Sequence, residues 1–334
     1  MNYIGSKQRL SGFIRETLLD TVTAPLSELI FCDLFAGTGT VGRAFKKEAK
    51  KIISNDSEYY SYVLNRNYIG NHQPLPHAQE RLDQLNNLAP KKGFIAQHYC
   101  PAGEADRLYF SDENGQKIDA IRQQIEQWKT QQKISADLYF FLLTSLLEAA
   151  DCVANTASVY GAYLKQLKKT AQQPLCLFPA SFEITPQSHE VHQADANTLI
   201  QKIHGDILYL DPPYNPRQYG ANYHLLNTIA RYDTFQPRGK TGLRDYTPSA
   251  YCSSRQACTA FDHLLQNAAF EYIFLSYNNE GIMSLQEIQR IMQRHGTYRL
   301  VKTPYRRFKA DKTENRTHNT QPIFEYLHIL KKQS

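Results

Sequence analysis

The chain has 334 residues, of which 38 are Lys or Arg and 32 are Asp or Glu, for a formal net charge of +6, with 42% hydrophobic and 21% charged residues. That length holds one large domain or two modest ones with a buried core, and the composition excludes a disordered tail or a fibrous repeat. A mean hydropathy of −0.53 argues against a membrane protein; the most apolar stretch, Leu138 to Ala150, is broken by Thr144, Ser145 and Glu148 and is shorter than the ~20 residues a bilayer crossing needs.

The first seven residues, Met1-Asn2-Tyr3-Ile4-Gly5-Ser6-Lys7, carry neither an apolar core nor a small-residue cleavage site, so a secretory signal is not expected and a cytoplasmic location is. Leu29-Ile30-Phe31-Cys32 reads as a strand, Asp33-Leu34-Phe35-Ala36-Gly37-Thr38-Gly39 as a glycine turn, and Thr40 to Lys50 as a helix. A second strand, Lys51 to Ser54, ends in Asn55-Asp56 and leads into a Tyr-rich helix from Ser57 to about Tyr68. Two such units predict a parallel sheet. From about Gly70 to Glu190 the rhythm changes: Pro74, Pro76, Pro90 and Pro101 punctuate loops, and helices are expected near Gln116 to Gln131 and Ser135 to Asp151. This stretch reads as an inserted domain. The α/β rhythm then resumes with a helix around Ala196 to Ile203 and the strand Asp206 to Leu210, stopped by Asp211-Pro212-Pro213-Tyr214. Helices near Asn222 to Arg231 and Arg255 to Asn267, the strand Tyr272 to Ser276, and a closing antiparallel pair at Thr297 to Thr303 and Ile323 to Leu330 complete the reading.

Six cysteines, at 32, 100, 152, 176, 252 and 258, form no CxxC pair and have no ligand-spaced His, so free buried thiols and no metal site are expected. The net charge points to a polyanion only weakly. From Gln286 onward eleven Lys or Arg stand against four acids, an excess that suits a phosphate backbone and equally suits a solvated basic face. In Tyr160-Gly-Ala-Tyr163-Leu-Lys165-Gln-Leu-Lys168-Lys169 the lysines could track a backbone beside stacked tyrosines, and an ordinary amphipathic helix accounts for the same spacing.

Phe35 to Gly39 ends the first strand, where an open α/β sheet receives ligands at a helix N-terminus, and Gly37 and Gly39 let a ligand approach the backbone. Asp56, about 20 residues on, is placed to accept from ribose hydroxyls or, alternatively, to cap the helix that follows. Asp211 to Tyr214 is the sharper signal. Its chemistry suits an exocyclic amine: the Asp211 carboxylate accepts one N–H, the Pro212 carbonyl another, and Tyr214 stacks on the ring, while proline offers no competing donor. A plain turn after a strand is the competing account.

Taken in order, Asn2 to Lys7, the Phe35 to Gly39 turn, Asp56, Asp195 in Gln193-Ala-Asp-Ala196, and Asp211 to Tyr214 resemble the D12-class, or alpha-order, DNA adenine N6 methyltransferases. Phe274-Leu-Ser-Tyr-Asn-Asn279 and Tyr305-Arg-Arg-Phe-Lys309 look like the family as well. The resemblance implies a Rossmann-like, S-adenosylmethionine-dependent methyltransferase fold. In it, residues 1–69 and 191–334 form the catalytic domain, with a mainly parallel sheet and an antiparallel closing strand, and residues 70–190 form a largely helical target-recognition domain. It implies S-adenosylmethionine as cofactor, lying across Phe35, Gly37 and Gly39, with Asp56 on its ribose, Asp195 near its adenine, Asp211 beside it, and Tyr3 and Lys7 closing the pocket, Lys7 toward the methionine carboxylate. Asp195 taken alone reads as a helix N-cap.

The implied substrate is double-stranded DNA, with the adenine flipped out of the stack to reach Asp211, Pro212 and Tyr214, and no metal or covalent intermediate. The overall look is similar to the modification methylase of a CATG-recognising type II restriction system, whose cognate endonuclease acts on the same site. Cytosine C5 chemistry is disfavoured because no cysteine follows a proline, and Asp rather than Ser at 211 favours adenine N6 over cytosine N4. An RNA base-amine methyltransferase and a catalytically silent specificity subunit are the competing expectations.

Overall fold

The computed structural model describes residue 7, residues 10–305 and residues 323–332, which form two compact units. One comprises Glu58–Pro186 and Tyr219–Thr247; the other takes the described residues up to Ser57 with Gln187–Gln218 and those from Pro248 onward. Tyr3 and residues 306–309 of the C-terminal basic stretch lie outside the described residues.

The second unit is built on seven strands, β1 (Ile30–Asp33), β2 (Lys51–Asn55), β3 (Glu190–His192), β4 (His204–Leu210), β5 (Ala269–Asn278), β6 (Gly296–Tyr305) and β7 (Ile323–Lys332). They lie in the order β3-β2-β1-β4-β5-β7-β6. The first five run parallel, and β7 pairs antiparallel with both β5 and β6, as the closing pair was expected to. Ile207 to Leu210 and Phe31 to Asp33 are continuously buried, the pattern of strands covered on both faces. The helix after the glycine turn is shorter than expected, Thr40–Phe45, and packs on the sheet through a Phe31–Phe45 stack with centroids 4.7 Å apart. β3 escaped the sequence reading because three half-buried residues show no period. The helix Leu285–Gln293 escaped it too, although Ser284 and Glu287 form a capping box.

The other unit is helical. Its long helices, Asp112–Thr130 and Ala136–Val153, start at Ser111 and Ser135, whose hydroxyls accept from the N–H groups of Asn114 and Leu138. Such caps contribute about 1 kcal/mol each. Shorter helices, Tyr59–Asn65, Ala78–Asn86, Phe94–Tyr99, Tyr219–Asn222 and His224–Arg231, pack around a core that includes Ile118, Ile121, Leu142, Leu146, Leu225 and Ile229.

This unit is larger than the 70–190 insertion. Tyr60 N–H donates to Asn227 Oδ1 at 2.9 Å, and the buried Arg122 donates to the carbonyls of Ile229 and Ala230 at 3.1 Å each, at the C-terminus of their helix. These long-range bonds bring 58–69 and 219–247 into the helical unit, while β3 carries 190–192 into the sheet.

Two local expectations are corrected. Residues 160–168 are not helical: Tyr160 is fully buried with its hydroxyl donating to Asp151 at 2.8 Å, and Lys168 Nζ donates to the Thr156 carbonyl at 3.0 Å. All six cysteines are free, but Cys152 and Cys176 are exposed rather than buried. Among the described residues, no helix is long and apolar enough to cross a membrane.

Candidate active site

The chain runs β1-β2-β3 toward one edge of the sheet and β4-β5 toward the other, so the direction reverses between β1 and β4. Ligands of open α/β sheets gather at the carboxyl ends of strands beside such a reversal. Asp33 and Tyr209 are register partners there, and Leu34 N–H donates to the Tyr209 carbonyl at 3.2 Å. Phe35 and Asp211 each lie two residues beyond that pair. The glycine turn and the Asp211 to Tyr214 loop therefore leave adjacent parallel strands at the same edge.

Both glycines of the turn are left-handed, with φ of 52° at Gly37 and 78° at Gly39. A side chain there is strained, so the sequence commits these positions to glycine. Two carboxylates clamp the turn: Asp33 Oδ2 accepts from Gly42 N–H at 3.0 Å inside the first helical turn, and Asp56 Oδ2 accepts from Gly37 N–H at 2.8 Å. Burial, only partly offset by the Gly42 bond, pushes the Asp33 carboxyl up to about 7. Asn55 laces the same edge, donating to the carbonyls of Leu34 and Ala194 and accepting from Ala194 N–H. Asp56 does not cap the next helix, which begins at Tyr59. The exposed Asp195 does cap, accepting from Thr198 N–H at 2.9 Å. Phe35 meets Tyr251 edge-on at 5.1 Å, and the Tyr251 hydroxyl donates to Asn197 at 2.8 Å.

Asp211 keeps 17% of its side chain exposed, and its Oδ1 stands 3.0 Å from Lys7 Nζ. The resemblance assigned Lys7 to a methionine carboxylate; in the structure its ammonium is engaged by Asp211 and, at 2.8 Å, by Glu325 Oε1. Burial alone pulls the ammonium down, but the two carboxylates outweigh it and hold Lys7 well above the usual lysine value. Asp211 is pushed up to about 6 by burial, with Glu325 adding to the rise and Lys7 opposing it. Pro212 is buried and Tyr214 half-buried. The Tyr214 ring meets Tyr277 edge-on at 6.4 Å, and its carbonyl accepts from Ile282 N–H at 3.0 Å. Tyr277 is fixed in turn, its hydroxyl accepting from Met283 N–H at 3.2 Å. The stretch Phe274 to Asn279 thus supplies Tyr277 behind the loop and Ser276, whose Oγ donates to Glu325 Oε1 at 2.7 Å.

Lys7, Phe35, Gly37, Gly39, Asp56, Asp195, Asp211, Pro212 and Tyr214 all belong to the sheet unit. Sequence reasoning missed Asp33, Tyr251, Ser276 and Glu325. Glu325 carried a usable signal, an acid inside the apolar run Ile323 to Leu330. The donor set is acid-rich, with Asp33, Asp56 and Asp211 beside backbone N–H groups and the aromatic pair Phe35 and Tyr251. That chemistry fits a nucleoside carrying a positive charge: carboxylates for hydroxyls and for a cation, a ring face for a base. Among the described residues, no group of three or more His, Cys, Asp or Glu is placed to hold a metal ion.

Sheet order, glycine turn and the Asp-Pro-Pro-Tyr loop at one carboxyl edge define a Rossmann-like methyltransferase. Residues 3–291 match the D12 class N6 adenine-specific DNA methyltransferase family, and the chain belongs to it. It is 61% identical over 332 residues to the type II methyltransferase M.NlaIII of Neisseria lactamica, with 99% of each chain covered. It is 36% identical over 314 residues to the type II methyltransferase M.CviAII of Paramecium bursaria Chlorella virus 1, covering 93% of each. Against the type II methyltransferase M.FokI of Planomicrobium okeanokoites it is 39% identical over 347 residues, spanning 53% of that longer protein. The chain is therefore a DNA-modifying enzyme that takes a methyl group from a donor.

Proposed function

We propose that the chain transfers a methyl group from S-adenosylmethionine to the N6 amine of an adenine flipped out of duplex DNA, at CATG, as the protective half of a type II restriction-modification system acting in the cytoplasm. The observation that carries this is the shared carboxyl edge of β1 and β4, where the clamped glycine turn and Asp211 leave register-paired strands. The CATG target is the one that the sequence resemblance implies, and full-length similarity to a type II methyltransferase supports the modification role.

Asp56 and the N–H groups of the turn would hold the donor's nucleoside, Phe35 and Tyr251 would face its ring, and Asp195 would lie at its far end. Tyr3 keeps the pocket-closing role that the family resemblance gives it. When bound, S-adenosylmethionine supplies an electrophilic methyl on a good leaving group, which removes the need for a covalent enzyme intermediate. Asp211, as a carboxylate, accepts one amine N–H and the Pro212 carbonyl accepts the other, so the nitrogen lone pair is drawn out of conjugation with the ring. Tyr214, braced by Tyr277, stacks on the base and offsets part of the unstacking cost, which is a few kcal/mol. Lys7 holds Asp211 in place. The helical unit, with its 70–190 core, reads the target sequence. A cognate endonuclease acts on the same site without needing to bind this chain.

Transfer of labelled methyl from S-adenosylmethionine, comparing duplex DNA with RNA and wild type with Asp211→Ala, tests the reading. Label should appear at adenine N6 in DNA, and methylated positions mapped in cellular DNA should lie in CATG. The variant should lose transfer by at least about a thousandfold while still binding the donor. Wild-type turnover in Asp211→Ala would defeat it.

A further inference from the structure

Lys7, Asp211 and Glu325 form a triad of two carboxylates and one ammonium, with Lys7 6%, Glu325 5% and Asp211 17% exposed. Glu325 lies on β7 opposite Asn278 of β5 and Thr303 of β6, so its position is set by the sheet ladder. Ser276 fixes it further through a 2.7 Å hydrogen bond. Both residues lie toward the carboxyl end of β5, at the edge where the reaction is proposed, and Glu325 meets Asp211 through the Lys7 ammonium that lies between them.

Lys7 alone beside Asp211 would make a neutral pair. A neutral pair is a poor acceptor for the positive charge that grows on an amine as it is methylated, because the ammonium cancels the field of the carboxylate. Glu325 restores a net charge of −1 to the group. We infer that Glu325 is a positioning residue for methyl transfer: it takes up the charge of Lys7, so that Asp211 stays in place and still presents negative charge to the substrate amine. This rests on Asp211 being the amine acceptor.

The charged and titratable groups facing Asp211 are Lys7, Tyr209 of β4, Glu325 of β7 and Asp33 of β1. Glu325→Gln keeps shape and hydrogen-bonding capacity but removes the charge. Its kcat should fall about tenfold at pH 8.5, with KM for DNA and Kd for S-adenosylmethionine within about threefold of wild type. The acidic limb of its kcat profile should also move to lower pH by about half a unit, because a negative neighbour that held Asp211 up is gone. The double variant Lys7→Met, Glu325→Gln returns the group to −1 by removing the cation that cancels the Asp211 carboxylate in the single variant. Its kcat should exceed that of Glu325→Gln and, if the single variant does not fold, should lie within about tenfold of wild type.

An unchanged kcat and limb in Glu325→Gln overturns the inference. So does a lowered kcat with an unmoved limb, or a double variant that binds the donor yet turns over no faster than the single one. Asp211→Ala measured in parallel separates the two levels: if it stays active, the assignment of Asp211 falls; if it is dead while Glu325→Gln behaves as wild type, only the role of Glu325 falls.

Discussion

Asp56 and Gly37, 19 residues apart in the chain, are joined by a 2.8 Å hydrogen bond from the Gly37 N–H to Asp56 Oδ2. The end of β2 thereby holds the turn after β1 in its left-handed form. Substituting Asp56→Ala removes the clamp and the proposed ribose acceptor together. A hydrogen bond to a charged group contributes about 1.5–3 kcal/mol, so donor affinity should fall by about tenfold to a hundredfold. Calorimetric titration with S-adenosylmethionine checks this, and an unchanged Kd would take Asp56 out of the pocket.

The pH dependence of stability follows from Asp33. Its carboxyl is raised to about 7 by burial, so the folded state holds a proton that the unfolded chain, with an ordinary aspartate, has already lost. The destabilising contribution is absent below about pH 4, grows as pH rises, and is complete above about pH 7. Replacing Asp33→Asn removes it. The difference in Tm, variant minus wild type, should therefore be more positive at pH 8 than at pH 5. The same difference at both values would show that Asp33 does not titrate in this range.

In the helical unit, the buried Asp119 accepts from the N–H groups of Ile95 and Ala96 at 2.9 and 2.8 Å and from the Tyr232 hydroxyl at 2.6 Å. It closes the N-terminus of the helix Phe94–Tyr99 from a different helix. Asp119→Ala leaves those donors buried and unpaired, at a cost of about 3 kcal/mol. Urea unfolding should show that loss as a lower midpoint at unchanged slope. A loss under about 0.5 kcal/mol would mean that the donors find other partners.

Strands, the glycine turn and the Asp-Pro-Pro-Tyr loop were legible because each is written in a few neighbouring residues. The run Ile207 to Leu210 is apolar and is stopped by two prolines; Gly37 and Gly39 stand where the backbone turns left-handed. The extent of the helical unit was not legible. Arg122 reads as one more charge on a helix, and nothing near it announces that its guanidinium caps a helix more than a hundred residues away. The role of Asp195 went the other way: read alone it is an N-cap, and an N-cap is what its carboxylate makes.

What the sequence determined by itself was the order of chemical parts and the edge of the sheet on which they fall. Parallel strands joined by helices bring their carboxyl ends to one side, and the motifs ended the strands. The tertiary structure alone decided the charge of the site, because Lys7, Asp211 and Glu325 come from the two ends and the middle of the chain. Their mutual energy depends on separations of about 3 Å in a low-dielectric setting. Distance along a sequence carries no record of that.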